Sequence, residues 1–278
     1  MTALDRLAGW LAGQGLALAP GARLERLGGG IANRNEAVML DSAAGPISAV
    51  LRRPPPGQLA AGASDMAREA RVLAALAPHF PLAPRLIGFC DDETVLGTKF
   101  QLIERRPGVA IAGTLPTSAG DGLALVETTL RAMAALHAMD PAALGLGDLG
   151  KPDGFHARQL KGWRLRAAAV WPDGLPADVA ALIAALSGKV PAEAGAPVLL
   201  HMDLKPDNLL VDPVSCAASA MIDWDMATRG PRGFDLAILL SYWIEPGDPD
   251  DVKPLQAVPS LTPGWPGRQR VVARYQAV

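Results

Sequence analysis

Apolar positions along this chain change their period once, and the change divides it. In the first third they alternate or run in short blocks. "RLERLGGGIANRNEAVML" (23–40) reads as strand, glycine turn, strand, and "GPISAVLRRPPPG" (45–57) as a strand ended by prolines that cannot extend a ladder. Two more strands are predicted around "PRLIGFC" (84–90) and "TKFQLIER" (98–105). Helical spacing occurs in "MTALDRLAGWLAGQG" (1–15), with Thr2 placed as its cap. It occurs again in "DMAREARVLAALA" (65–77), where Met66, Val72, Leu73 and Leu76 share a face and Ser64 stands as the cap. From "ERRPG" (104–108) onward the helical period takes over. Helices are predicted over 121–139, 155–170, 176–186 and 234–243, with short strands around Leu199, Leu209 and Met221. Val271, Val272 and Tyr275 then mark one face of a last helix in "PGWPGRQRVVARYQAV" (263–278). This order predicts an α+β protein: a small β-rich N-terminal lobe (1–104), a short connector and a larger helical C-terminal lobe (105–278), with a ligand cleft between them.

Composition narrows the function classes. The 278 residues are half hydrophobic, so a sizeable core can form, and the net charge is -2 with no basic block. Charge therefore gives no footing for nucleic acid or an anionic membrane. Cys90 and Cys216 are isolated, which excludes a disulfide framework or a C-x-x-C zinc site and fits two buried thiols in a reducing compartment. The N-terminus carries Asp5 and Arg6 and lacks the basic start and apolar block of a signal peptide, and no apolar run reaches transmembrane length. The expected location is cytoplasmic.

The chemistry concentrates in "LLHMDLKPDNLLVD" (199–212), a polar loop between two apolar runs. Asp203 and Asn208 have the spacing of a phosphoryl-transfer catalytic loop. A weak hydroxyl nucleophile needs a carboxylate to take its proton, the role assigned to Asp203. Charge spreading over the transferred phosphoryl oxygens needs a hard cation, and Asn208 with a second carboxylate suits Mg²⁺. "SAMIDWDMATRG" (219–230) supplies that carboxylate as Asp223, at the mouth of a predicted strand, with Asp225 as an acidic neighbour. His201 is read as a residue that holds the loop, and Asp235 as a helix cap that braces it.

These segments resemble the aminoglycoside phosphotransferase-like family, small-molecule relatives of the protein kinases, and the likeness covers nearly the whole chain. "HMDLKPDN" and "IDWD" are its most specific matches, "GGGIANRN" is similar to the phosphate-covering turn, and "VLRRPPPG" with "REARVLAAL" to the strand-then-helix pair. "LRAMAALHAMDP" and "GLGDLGKPDGFHARQLKGW" are similar to the branch found with acyl-CoA dehydrogenases. The resemblance implies a two-lobe protein-kinase-like fold, ATP and Mg²⁺ as cofactors, a small hydroxyl-bearing acceptor and a functional link to an acyl-CoA dehydrogenase. It places Gly28, Gly29, Gly30 and Asn33 at the phosphates, although a glycine triplet also suits a plain hairpin. Arg52 stands where such kinases carry Lys, with Glu69 as its helix partner or else a solvated charge near Asp65. Glu104 falls at the connector beside adenine. Lys205 either touches the γ-phosphate or is solvated. Relatives of this branch continue past the last helix seen here, so the C-terminus is expected to be truncated. The chain departs from protein kinases at Met202, at "IDWD" and in lacking an A-P-E segment.

Three functions stay open on this basis. The first is a kinase for a small-molecule hydroxyl, with a hydroxyacyl-CoA implied by the branch. The second is a kinase for an aminoglycoside, macrolide or amino-alcohol, to which the acidic "EPGDPDD" (245–251) offers a cation-binding lining or an ordinary solvated loop. The third is a non-catalytic nucleotide-binding pseudokinase, which Arg52 favours and the intact Asp203, Asn208 and Asp223 oppose.

Overall fold

The computed structural model describes residues 2–28, 33–55, 57, 65–193, 195–255 and 257–278. In chain order its elements are α1 (Ala3–Ala12), β1 (Leu16–Leu18), β2 (Glu25–Arg26), β3 (Arg34–Ser42), β4 (Gly45–Arg53), α2 (Met66–Leu76), β5 (Leu86–Cys90), α3 (Glu93–Leu96) and β6 (Phe100–Glu104). There follow α4 (Leu123–His137), α5 (Phe155–Val170), α6 (Ala177–Ser187), β7 (Val198–Leu200), β8 (Leu209–Val211), β9 (Ala218–Met221), β10 (Thr228–Gly230), α7 (Gly233–Ser241) and α8 (Arg268–Gln276).

The first part is a six-stranded antiparallel sheet in the order β1-β3-β4-β6-β5, with β2 paired to β3. Its centre is the β3–β4 hairpin, closed at Ser42 and Gly45, whose register sets Asn35 opposite Arg52 and Arg34 opposite Arg53. Gly45 sits at φ 113°, a turn conformation that strains other residues. The period of two in β4 sorts its residues. Ala49 and Leu51 join Leu7 and Leu11 of α1, Leu40, Phe100 and Leu102 in one core. Val50 faces the other core, with Val72, Leu73 and Leu76 of α2. Arg52 shares the Val50 face and Arg53 the opposite one, where it pairs with Glu36. Each leucine fully buried in these layers contributes about 1.5–3 kcal/mol.

The second core runs on into the helical part through Leu130, Met133, Leu136, Trp224, Leu239 and Val271. Two small antiparallel ladders, β7 with β10 and β8 with β9, carry the loops between them. The architecture is the two-lobe α+β arrangement that the hydrophobic pattern predicts. Among the described residues no helix is long and apolar enough to cross a membrane.

Several local expectations change. Ser64 lies outside the described residues, and Asp65 caps α2 by accepting the Arg68 N–H. Thr2 caps α1 as expected, and Asp5 returns a bond to the Thr2 N–H. Strand β1 was hidden because three residues give no period. Trp243 is buried, whereas Trp163 and Trp171 are exposed. They belong to the α5–α6 hairpin, in which α6 buries no residue despite its apolar sequence.

Candidate active site

The loop after β7 is fixed from below before its side chains are placed. Asp235, in the first turn of α7, accepts N–H bonds from His201 and Met202, both 2.8 Å. Its carboxylate is thus spent on the loop and does not cap its own helix, so only the bracing half of its expected role is observed. Met202 is held at φ 71°, a left-handed conformation that costs a non-glycine residue about 1–2 kcal/mol. The same carboxylate accepts from His137 Nε2 (3.1 Å), and His137 Nδ1 bonds the Tyr275 hydroxyl of α8 at 2.6 Å.

His201 is fully buried. Its Nε2 donates to the Ile222 carbonyl (2.9 Å), and its Nδ1 accepts the Asp203 N–H (3.3 Å). This is the neutral tautomer, and burial pushes the imidazole pKa below its ordinary 6.5, against the pull of Asp235 and Asp223. An unfolded His201 takes up a proton as pH falls through 6.5, and the folded one resists it. The contribution of His201 to stability is therefore complete above that pH and is lost below it, by at most about 1.4 kcal/mol per pH unit. Urea midpoints measured at about pH 7.5 and 5.5 are expected to separate in the native chain, and less so in His201→Gln. An equal separation in both would assign the effect elsewhere.

Asp203 has both carboxylate oxygens engaged. Oδ2 accepts from Lys205 Nζ (2.7 Å) and Asn208 Nδ2 (2.9 Å), and Oδ1 accepts from the Tyr242 hydroxyl (2.6 Å). Asn208 Nδ2 also donates to the Asp203 carbonyl (2.8 Å). With its NH₂ group turned to Asp203, the Asn208 amide aims its oxygen elsewhere, as a cation ligand must. Burial pushes the Asp207 carboxyl up, while Lys205, 3.5 Å away, works against it.

Asp223 is delivered by the β8–β9 ladder. The Ile222 N–H donates to the Asn208 carbonyl (2.9 Å), which sets the next residue beside Asn208. Asp223 is itself left-handed, at φ 69°. Its carboxylate pairs with Arg52. Arg52 reaches Glu69 as well (2.8 Å) and donates to Asn35 Oδ1 (3.2 Å), and Glu69 in turn accepts the Trp224 N–H (3.2 Å). Burial works against the Arg52 charge, but Glu69 and Asp223 more than offset it, so its pKa is raised. Burial and the Asp223 charge push the Asp225 carboxyl up, with a smaller push from Asp203, while Arg52 and the Asn33 amide (3.4 Å) oppose them.

Asp223 and Asp203 thus both press on Asp225, a field that a divalent cation relieves. Among the described residues no group of three or more His, Cys, Asp or Glu forms a cage for a metal. Asn208 and Asp223 alone would leave most of the shell to water and phosphate, which is how Mg²⁺ is commonly held.

The remaining expected residues are scattered in role. Gly28 follows β2, and a Cβ there would meet nothing within 4 Å; Gly29 and Gly30 lie outside the described residues. Glu104 ends β6 with its carboxylate accepting the Arg85 N–H (3.3 Å) and pairing with Arg106 (3.6 Å). Pattern reasoning missed Tyr242, which is 39 residues from Asp203 and carries no local signal. It also missed Asn35, which the β3–β4 register could have revealed.

With this geometry in hand, the likenesses to known proteins are specific. The sequence model of the phosphotransferase enzyme family matches residues 23–270. The probable acyl-CoA dehydrogenase IBR3 of Arabidopsis thaliana is 33% identical over 204 residues, which are 70% of this chain and 25% of that protein. The chain therefore spans about a quarter of the length of this curated relative. A Ralstonia eutropha protein assigned to the aminoglycoside phosphotransferases superposes with a TM-score of 0.72 at 25% identity, covering 98% of this chain and 79% of that one. Aminoglycoside phosphotransferase APH(4)-Ia, solved with ADP and hygromycin B, shares the fold at 18% identity and TM-score 0.60, over 86% of this chain and 76% of its own.

Proposed function

Because the chain belongs to the phosphotransferase enzyme family, we propose that it transfers the γ-phosphoryl group of ATP to a hydroxyl of a small molecule. The observation that carries this reading is the joining of Asp203 to Asn208 and of Asn208 to the Asp223 strand by hydrogen bonds. Asp203 accepts the proton of the attacking hydroxyl as its oxygen bonds to phosphorus and the bond to the ADP oxygen breaks. Asn208 and Asp223 would hold Mg²⁺, which when bound supplies positive charge across the phosphate oxygens. Arg52, held by Glu69 and Asn35 and paired with Asp223, stands where the usual Lys would meet the phosphates and supplies positive charge there. Lys205 stands beside the base, and Gly28 to Gly30 with Asn33 cover the phosphates. Glu104 closes the strand at the connector, where residues 1–104 hand over to 105–278 and adenine is expected to sit.

The acceptor we favour is a hydroxyacyl-CoA. The likeness to a protein named as an acyl-CoA dehydrogenase supports it. So does the fate of the acidic stretch 245–251, the feature that had suited a cationic antibiotic. Asp248 is bonded to Arg268, which holds its carboxyl down to about 2, Glu245 accepts the Arg268 N–H at 2.6 Å, and Asp250 pairs with Lys253 at 2.6 Å. Three of the four carboxylates in this stretch are thus engaged by two cations of the chain itself. A pseudokinase has no use for a hydrogen-bonded base, so the engaged Asp203 weighs against that alternative.

ADP release from Mg-ATP, measured against hydroxyacyl-CoA, aminoglycoside, macrolide and amino-alcohol panels, tests the reading, and silence with every acceptor would sink it. Asp223→Ala is expected to remove the Mg²⁺ dependence of nucleotide binding in calorimetry. Unchanged dependence would take the metal away from Asp223.

A further inference from the structure

Tyr242 follows the last residue of α7, seven positions after Asp235, so the two share one helix face two turns apart. Asp235 holds the backbone of the catalytic loop, and Tyr242 reaches the carboxylate that the loop presents. Its neighbour Trp243 is buried and donates Nε1–H to the Pro266 carbonyl (2.8 Å), which anchors this turn. The phenol ring also lies under the Lys205 ammonium, 5.1 Å from its centroid. Burial and the bond to Asp203 both push the Tyr242 pKa up, so the hydroxyl keeps its proton and remains a donor.

The two oxygens of Asp203 are therefore unequal. Oδ2 is committed to Lys205 and Asn208, while Oδ1 faces one neutral O–H. An acceptor hydroxyl activated by Asp203 must donate to the same carboxylate, and Oδ1 is where an O–H already does so. We infer that Tyr242 holds the place of the acceptor hydroxyl and keeps water from it until an acceptor displaces the phenol. It is a positioning residue that acts through Asp203, and this role rests on Asp203 being the base. Without the phenol, water would donate to Oδ1 and attack the γ-phosphorus. The oxygen–phosphorus bond to ADP would break, and the water proton would pass to Asp203, giving ADP and phosphate.

The test is ADP release from Mg-ATP with no acceptor added. Tyr242→Phe is expected to raise it about three- to tenfold, the worth of one hydrogen bond. Asp203→Asn should suppress it, and the double variant should match Asp203→Asn. Hydrolysis by Tyr242→Phe at or below the native rate overturns the inference and leaves the base assignment standing. Native-level hydrolysis by Asp203→Asn overturns both. A second measurement avoids the variant at 242. The chain has two tyrosines, Tyr242 and Tyr275, so labelling with ¹³C at Cζ gives two resonances. Asp203→Asn should move the Tyr242 signal and leave Tyr275 in place. Two unmoved signals would mean the pair does not exist in solution.

Discussion

Asp203→Asn is expected to lower acceptor-dependent turnover by about a hundred- to ten-thousandfold, the usual contribution of a positioned base. Affinity for Mg-ATP should stay near the native value. The substitution preserves size and several of the contacts to Lys205, Asn208 and Tyr242, because an amide oxygen still accepts. What it removes is the capacity to take a proton. A kcat collapse with little change in nucleotide binding would therefore separate chemistry from architecture. Turnover within about threefold of native would mean that proton transfer does not limit the reaction, or that another group performs it.

Arg52→Ala is expected to cost about 3–5 kcal/mol of folding stability, because it strands a carboxylate rather than deleting a contact. Glu69 is 1% exposed and would lose its salt-bridge partner within a packed core. Asp223, with Asp225 nearby, would lose the guanidinium that offsets them both. Chemical denaturation reads the loss directly. Adding Glu69→Gln to the alanine variant should recover part of it, since a neutral amide is cheaper to bury than a carboxylate. A loss below about 1 kcal/mol would place this network in the class of surface pairs, which contribute little.

How much of this was legible in the sequence follows from the range of each interaction. Asp203 and Asn208 are five residues apart on one loop, so their pairing was written in local spacing. Asp223 was legible because a strand delivers it, and strands announce themselves by their apolar run. The facing of Arg52 came from the period of two in β4, and the choice of Glu69 came from family resemblance. Tyr242 was not legible: its meeting with Asp203 depends on how α7 crosses beneath the loop, which no pattern within α7 records. Asp235 was half legible. Its position at a helix start suggested a cap, but two backbone N–H groups from a distant loop outcompeted its own helix. The exposure of Trp163 and Trp171 is not legible either: aromatic side chains usually signal packing, whereas the hairpin that carries these two stands out from the core.

The left-handed bend at Met202 is tied to α8 by a short relay. From the Tyr275 hydroxyl the hydrogen bonds pass through His137 to Asp235, and from there to the amides that precede Asp203. Helix α8 is thus a handle on the proposed base: a displacement of α8 loosens the imidazole, then the carboxylate, then the bend, and with it the aim of Asp203.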